Sequence, residues 1–223
     1  MNSINPQVFE FFNRLSENNN REWFEQHKPE FKNLELGVKE FGSHLFDQIS
    51  AHDSLERWKL MRIYRDVRFS KNKTPYKTNF GISFRRTQPS SRGSYYLHIS
   101  PEDCFLACGF WGPEPADLLR IRKELAVSAD EFREILNRPS FRDTWGDLVG
   151  EELKSAPRGF DKQHPAIDLI RKKQFLFLVR FSDQEITEDD FSSRVNLALK
   201  DVRPFVDFMS DVLTTDLNGE PLI

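Results

Sequence analysis

The sequence predicts an α+β protein: an N-terminal helical hairpin, a largely antiparallel sheet and C-terminal helices, in a single domain. Three observations carry this. Apolar residues recur at helical period from Val8 to Leu15 and again from Trp23 to Ile49. They alternate instead at Phe80, Ile82 and Phe84, and at Tyr95, Leu97 and Ile99. Helical spacing then returns in the C-terminal part, most plainly at Phe191, Val195, Leu199 and Val202.

Each element has a local cause. Asn5-Pro6 starts the first helix, with Asn as cap and Pro in the first turn. Asn18-Asn19-Asn20 breaks it, because Asn competes with helical backbone for hydrogen bonds. Asn20 caps a second helix, in which Pro29 marks a kink or restart. The hairpin should cover about residues 5–52, with sheet and helices over 60–223. Ile63, Arg65, Val67 and Phe69 alternate with Arg62, Tyr64, Asp66 and Arg68. That favours a strand with Arg65 on its apolar face; the alternative is one helical turn with Arg62, Arg65 and Arg68 together. Pro101-Glu102-Asp103 is a turn, and Cys104 to Phe110 the returning strand. Pro113 and Pro115 open a helix, and Ser128 to Glu131 has capping-box spacing for the next. Phe175, Phe177 and Val179 suggest one more strand. Thr187 should cap a last helix that Pro204 bends.

The 223 residues suffice for one large domain or two small ones, and 21 phenylalanines point to an aromatic core. A mean hydropathy of −0.60 fits a soluble chain. No run approaches the roughly 18 apolar residues of a membrane span, so no membrane partner is expected. The start MNSINPQVFEFFNRL lacks a basic segment followed by an apolar block, so no signal peptide is expected either. Cys104 and Cys108, on one strand, would stand about 13 Å apart, beyond the roughly 7 Å limit of a disulfide. Reduced, structural cysteines favour the cytoplasm. Their spacing matches no zinc motif, and no metal site is expected.

Charge is distributed unevenly. Arg62 to Arg92 holds nine basic residues and one acid, Asp66. That is +8 in a chain of net charge −3, leaving −11 elsewhere. Such a strip implies an anionic partner. Arg65, Arg68, Lys73 and Lys77 are the candidate anion ligands: Arg offers a planar fork, Lys a movable point charge. Thr74 and Tyr76 add hydroxyls, and Pro75 stiffens the turn between the lysines. Without a Gly-rich P-loop, phosphate would be held by side chains. Arg21 in the Asn-rich break and Arg158 in the Ser155–Pro165 loop are further candidates. The opposing reading has the Asn-rich turn as helix caps, His164 as a cap, and the basic strip as ion pairs or a solvated docking face. A small phosphorylated or otherwise anionic ligand fits a short strip best. Nucleic acid is the alternative, with tyrosines to stack bases, although a pI near 6.0 argues against it. Catalytic candidates are weak. Asp66 sits among arginines and should stay ionised. His98 faces away from Leu97 and Ile99, beside Tyr96, and is a general base or a structural histidine.

FFNRLSENNNREWFEQHK, RIYRDVRFSKNKTPYKTNF, YYLHISPEDCFLACGFWGP and APRGFDKQHP together resemble a widespread, uncharacterised bacterial and fungal protein family, a domain of unknown function. RDxRFSxxKTPYKT is the specific part, and the resemblance covers nearly the whole chain. It implies a grouping by fold and no reaction.

Overall fold

The computed structural model describes residues 2–216 and 220–222. The element order is α1 (Gln7–Glu17), α2 (Arg21–Ser50), β1 (Leu55–Leu60), β2 (Phe80–Arg86), β3 (Ser94–Ile99), β4 (Cys104–Phe110), α3 (Pro115–Val127), α4 (Asp130–Leu136), α5 (Pro139–Trp145), α6 (Ile167–Ile170), β5 (Phe175–Phe181), α7 (Asp183–Ile186), α8 (Phe191–Asp201) and α9 (Arg203–Thr214). The strands form one antiparallel sheet in the order β1-β2-β3-β4-β5. This is the α+β class the sequence predicts. The chain divides into two compact units, and the divisions fall within β2, β3, β4, β5 and α8.

The first unit comprises residues 1–84, 96–106 and 180–197. Its helical hairpin forms as expected. Asn20 caps α2 by accepting from the Trp23 N–H at 2.9 Å, and α2 runs through Pro29 as one continuous helix. Phe24, not Trp23, is the buried residue of its first turn. Phe12 and Phe31 meet Phe80 at ring separations of 4.9 and 5.6 Å. Gly42 admits the Trp58 ring of β1 against α2; a Cβ there would lie 2.7 Å from it. The Ile4 N–H donates to the Ile186 carbonyl and the Ser192 N–H to the Asn2 carbonyl, which ties down the N-terminal segment.

The second unit comprises residues 85–95, 107–179 and 198–223. Phe205 of α9 centres an aromatic core with Phe132 at 6.0 Å and Phe177 at 5.0 Å. Arg86 is only 2% exposed. It donates to the carbonyls of Arg92 and Val206 and to the Ser210 hydroxyl, each at 3.0 Å, and pairs with Asp207. Arg92 pairs with Asp117.

Four expectations differ. Residues 62–69 are neither regular strand nor helix, and β1 lies just before them, over an alternation-poor LERWKL that gave little signal. Arg65 is therefore partly exposed rather than buried. The Ser128 capping box does not form: Ala129 occupies the N-cap position of α4, and a reciprocal box appears instead at Ser182 and Glu185. Thr187 ends α7, and Pro204 starts the separate helix α9 rather than bending one helix. Cys104 and Cys108 are buried and form no disulfide, as expected.

Candidate functional site

Between β1 and β2, residues 61–79 fold back on themselves as an arm. Its stem is held by backbone bonds from Lys77 N–H to the Ile63 carbonyl (2.8 Å) and from Arg65 N–H to the Pro75 carbonyl (2.9 Å), around a Tyr64–Tyr76 bridge. Pro75 lacks an N–H, so it contributes to this ladder only as an acceptor. The tip is tied by its own polar side chains. Asn72 Oδ1 accepts from the Thr74 N–H (2.9 Å) and hydroxyl (2.8 Å), an Asx-type turn. The same Thr74 oxygen accepts from Arg65 Nη1 at 3.1 Å. Lys73 Nζ donates to the Val67 carbonyl at 2.9 Å.

Asn19, in the turn between α1 and α2, fixes the arm to the helical hairpin. Its amide Nδ2 donates to the Tyr76 carbonyl at 3.0 Å, and its Oδ1 accepts from the Tyr76 N–H at 3.1 Å. One side chain thus satisfies both backbone groups of Tyr76, as a neighbouring strand would. Tyr76 is 3% exposed and stacks on Phe24, with ring centres 4.1 Å apart. Burial, with smaller contributions from Tyr64 and Glu25, pushes its phenol pKa up.

Two adjoining cavities share Arg65 and Tyr76 as walls. The larger, about 560 Å³, also exposes Asn19, Asn72, Thr74, Lys77 and Asn79. The smaller, about 320 Å³, adds Arg21, Glu25, Tyr64, Val67 and Pro75. Arg65, Tyr76, Lys77 and Arg21 are therefore brought together. Lys73 and Arg68 belong to the arm but line neither cavity. Arg158 lies in a loop of the second unit and lines neither.

The charges sort by partner. The Arg68 guanidinium donates to Asp66 from Nε (3.0 Å) and Nη2 (2.7 Å). These bonds hold the Asp66 carboxyl below its ordinary pKa and Arg68 above its own. Asp66 is thus ionised and occupied, a poor proton acceptor. Among the described residues, Arg65 and Lys77 have no carboxylate within 4.0 Å, the ion-pair limit. Burial first, then Arg62 and Arg65, pushes the Lys77 pKa down.

His98 lies next to this group. Its Nδ1 is 3.1 Å from the Tyr96 hydroxyl and 3.5 Å from Asn79 Nδ2, and its ring stacks on Phe105 at 4.7 Å. Burial lowers its pKa, Lys77 lowers it further, and Asp103 opposes both. The imidazole is accordingly neutral near pH 7. Gly81 makes room here, since a Cβ would sit 2.4 Å from the Tyr96 hydroxyl.

The sequence reading treated the Asn-rich turn mainly as caps. That holds for Asn18, which donates to the Arg14 carbonyl at the end of α1, and for Asn20. Asn19 between them does something else, and one Asn among three carries no sequence mark of it. Asn72 and Asn79 were missed for the same reason. His164 acts as a local cap, Nδ1 accepting from the Ala166 N–H at 3.1 Å. Among the described residues, no cluster of three or more His, Cys, Asp or Glu could hold a metal, and no helix is long and apolar enough to cross a membrane.

No curated protein and no solved structure is significantly similar to the chain. The sequence profile of one family matches residues 7–208, nearly the whole of it, and with it the hairpin, the arm and the sheet. The chain belongs to that family, described as conserved hypothetical protein (DUF2461).

Proposed function

We propose that the arm binds a small phosphorylated or otherwise anionic ligand in the larger cavity. One observation carries this. Within the same basic strip, Arg68, Arg86 and Arg92 each have a carboxylate partner, whereas the cavity cations Arg65 and Lys77 have none among the described residues. The Asp66 carboxylate of the same cavity is taken up by Arg68, and two partly buried like charges beside it are costly unless a further anion completes them. Arg65 and Lys77 supply charge and the Asn79 amide adds a neutral donor, while the Thr74 hydroxyl, engaged by Asn72, positions the Arg65 guanidinium. The arrangement favours binding over a reaction, because Asp66 is committed to Arg68 and the His98 ring is held by Tyr96 and Phe105. Two buried thiols outside any disulfide fit the reducing cytoplasm.

The test is thermal unfolding at low salt with inorganic phosphate, pyrophosphate or sugar phosphates. A ligand at about 100 times its dissociation constant adds about 2.7 kcal/mol. An unchanged melting temperature with every one of these anions removes the proposal.

A second reading, single-stranded nucleic acid, is favoured by Phe69. It is 97% exposed at the arm tip, beside Arg68, Lys71 and Lys73. Base stacking on such a side chain is sequence-tolerant. An affinity that falls steeply with salt, and a slope flattened by Lys73→Ala, would support it. Lack of retention of any oligonucleotide at low salt dismisses it.

A further inference from the structure

We infer that the anion held on this arm is the phosphate of a mononucleotide, with the base seated in the smaller cavity and the phosphate in the larger. This rests on the anion-binding reading above and adds the chemistry of the ligand's other end. The two cavities share Arg65 and Tyr76, so a ligand longer than phosphate reaches from one into the other.

Their walls differ in kind. The larger presents the Lys77 ammonium and the Arg65 guanidinium among Ser, Thr and Asn side chains, with the Asp66 carboxylate held by Arg68. The smaller presents the Tyr64 and Pro75 rings and the Val67 side chain beside the charged Arg21, Glu25 and Arg65. The flat Tyr64 and Pro75 faces suit a planar ring, and the Arg21 and Arg65 guanidiniums and the Glu25 carboxylate around them suit the polar edge of a base.

Tyr64 is prepared for stacking. Its ring is braced by Tyr76 (5.5 Å, 52°) and Phe24 (6.4 Å, 69°), yet the residue remains 47% exposed. A ring already fixed in place loses little freedom when a base settles on it. Glu25, also lining this cavity, is held by Lys28 at 2.9 Å. Its carboxylate can accept from the exocyclic amine of a base.

Isothermal titration of the full chain at low salt distinguishes the two levels of the argument. The probes are inorganic phosphate, the four common nucleoside 5′-monophosphates and adenosine. At least one monophosphate should bind about tenfold or more tightly than phosphate, the scale of one base–aromatic stack. Tyr64→Ala should remove that gain and leave phosphate affinity within about twofold, while Tyr64→Phe retains it. Lys77→Met should weaken phosphate and nucleotide alike. If phosphate binds but no monophosphate binds more tightly, or Tyr64→Ala leaves the gain intact, the nucleotide inference falls and the anion site stands. If none of the anions binds, the anion site falls and the inference with it.

Discussion

Replacing Lys77 by Met separates a binding site from a structural ion-pair network, because the two predict stability changes of opposite sign. The side chain keeps most of its aliphatic stem and loses only the ammonium. That ammonium is disfavoured in the folded protein by burial and then by Arg62 and Arg65, so its folded pKa lies below the ordinary 10.5. The unfolded chain holds the proton more tightly. Stability therefore rises as pH climbs from the folded pKa to about 10.5, and the full penalty is present at neutral pH. Screened charge pairs at partly exposed sites are worth about 0.2–1 kcal/mol. Lys77→Met should accordingly stabilise the free protein, by roughly 0.5 kcal/mol at low salt. It should also remove a charged hydrogen bond to the ligand, about 1.5–3 kcal/mol, or roughly ten- to hundredfold in affinity. Urea unfolding without phosphate in the buffer reads the first effect. The variant midpoint should exceed wild type at about 0.01 M salt and by less near 1 M, where the screening length has fallen from about 30 to about 3 Å and only the burial cost is left. A midpoint below wild type at low salt would mean that Lys77 gains from a partner, which refutes the reasoning about the site.

Asn19→Ala strips both partners from the buried backbone of Tyr76 and should cost about 2–6 kcal/mol in denaturant unfolding, at about 1–3 kcal/mol for each unsatisfied group; a loss under about 0.5 kcal/mol would show that the clasp is dispensable. Arg86→Met breaks a buried charge network that also holds Asp207, so about 3–5 kcal/mol of stability should be lost. Phosphate affinity per folded molecule should not change, since Arg86 is no part of the cavity. His98 adds a pH dependence. Its folded pKa lies below 6.5 through burial, so below about pH 6.5 the unfolded chain takes up a proton that the folded chain resists. Stability should fall on acidification through that window, and His98→Phe should flatten the fall; an identical acid limb in the variant would show that His98 is not desolvated.

Fold class and most elements were legible because their signals are local. Phe80, Ile82 and Phe84 alternate and become β2, and Pro101-Glu102-Asp103 becomes the β3–β4 turn, with Glu102 in the left-handed region at φ 61°. The arm was misread as strand because Ile63, Val67 and Phe69 alternate with charged residues there. Only Ile63 of the three is buried, and Phe69 points its whole ring to solvent. Alternation reports a two-faced surface only where a second layer covers one face, and over Val67 and Phe69 none does. The cavity was half legible. Basic residues stand out in composition, so Arg65 and Lys77 could be named. Whether an arginine meets a carboxylate depends on residues such as Asp207, 121 positions from Arg86, and no local pattern encodes that.

The charge excess therefore means different things along one strip. At its C-terminal end Arg86 and Arg92 fold the chain, each held by an acid in the second unit. At the tip Arg68 and Asp66 close a local loop. Among the cations without a carboxylate partner, two line the larger cavity: Arg65 beside Thr74, and Lys77 two residues beyond Pro75. These two are also the cations whose backbone is fixed by the stem ladder, and Asn19 clasps the Tyr76 backbone that lies between Pro75 and Lys77. A mobile exposed lysine such as Lys71 tolerates lacking a partner because water solvates it. A partly buried lysine on a rigid stem does not, and its neighbours Arg62 and Arg65 add to the cost. Rigidity without compensation, rather than the density of positive charge, is the property on which the anion proposal rests.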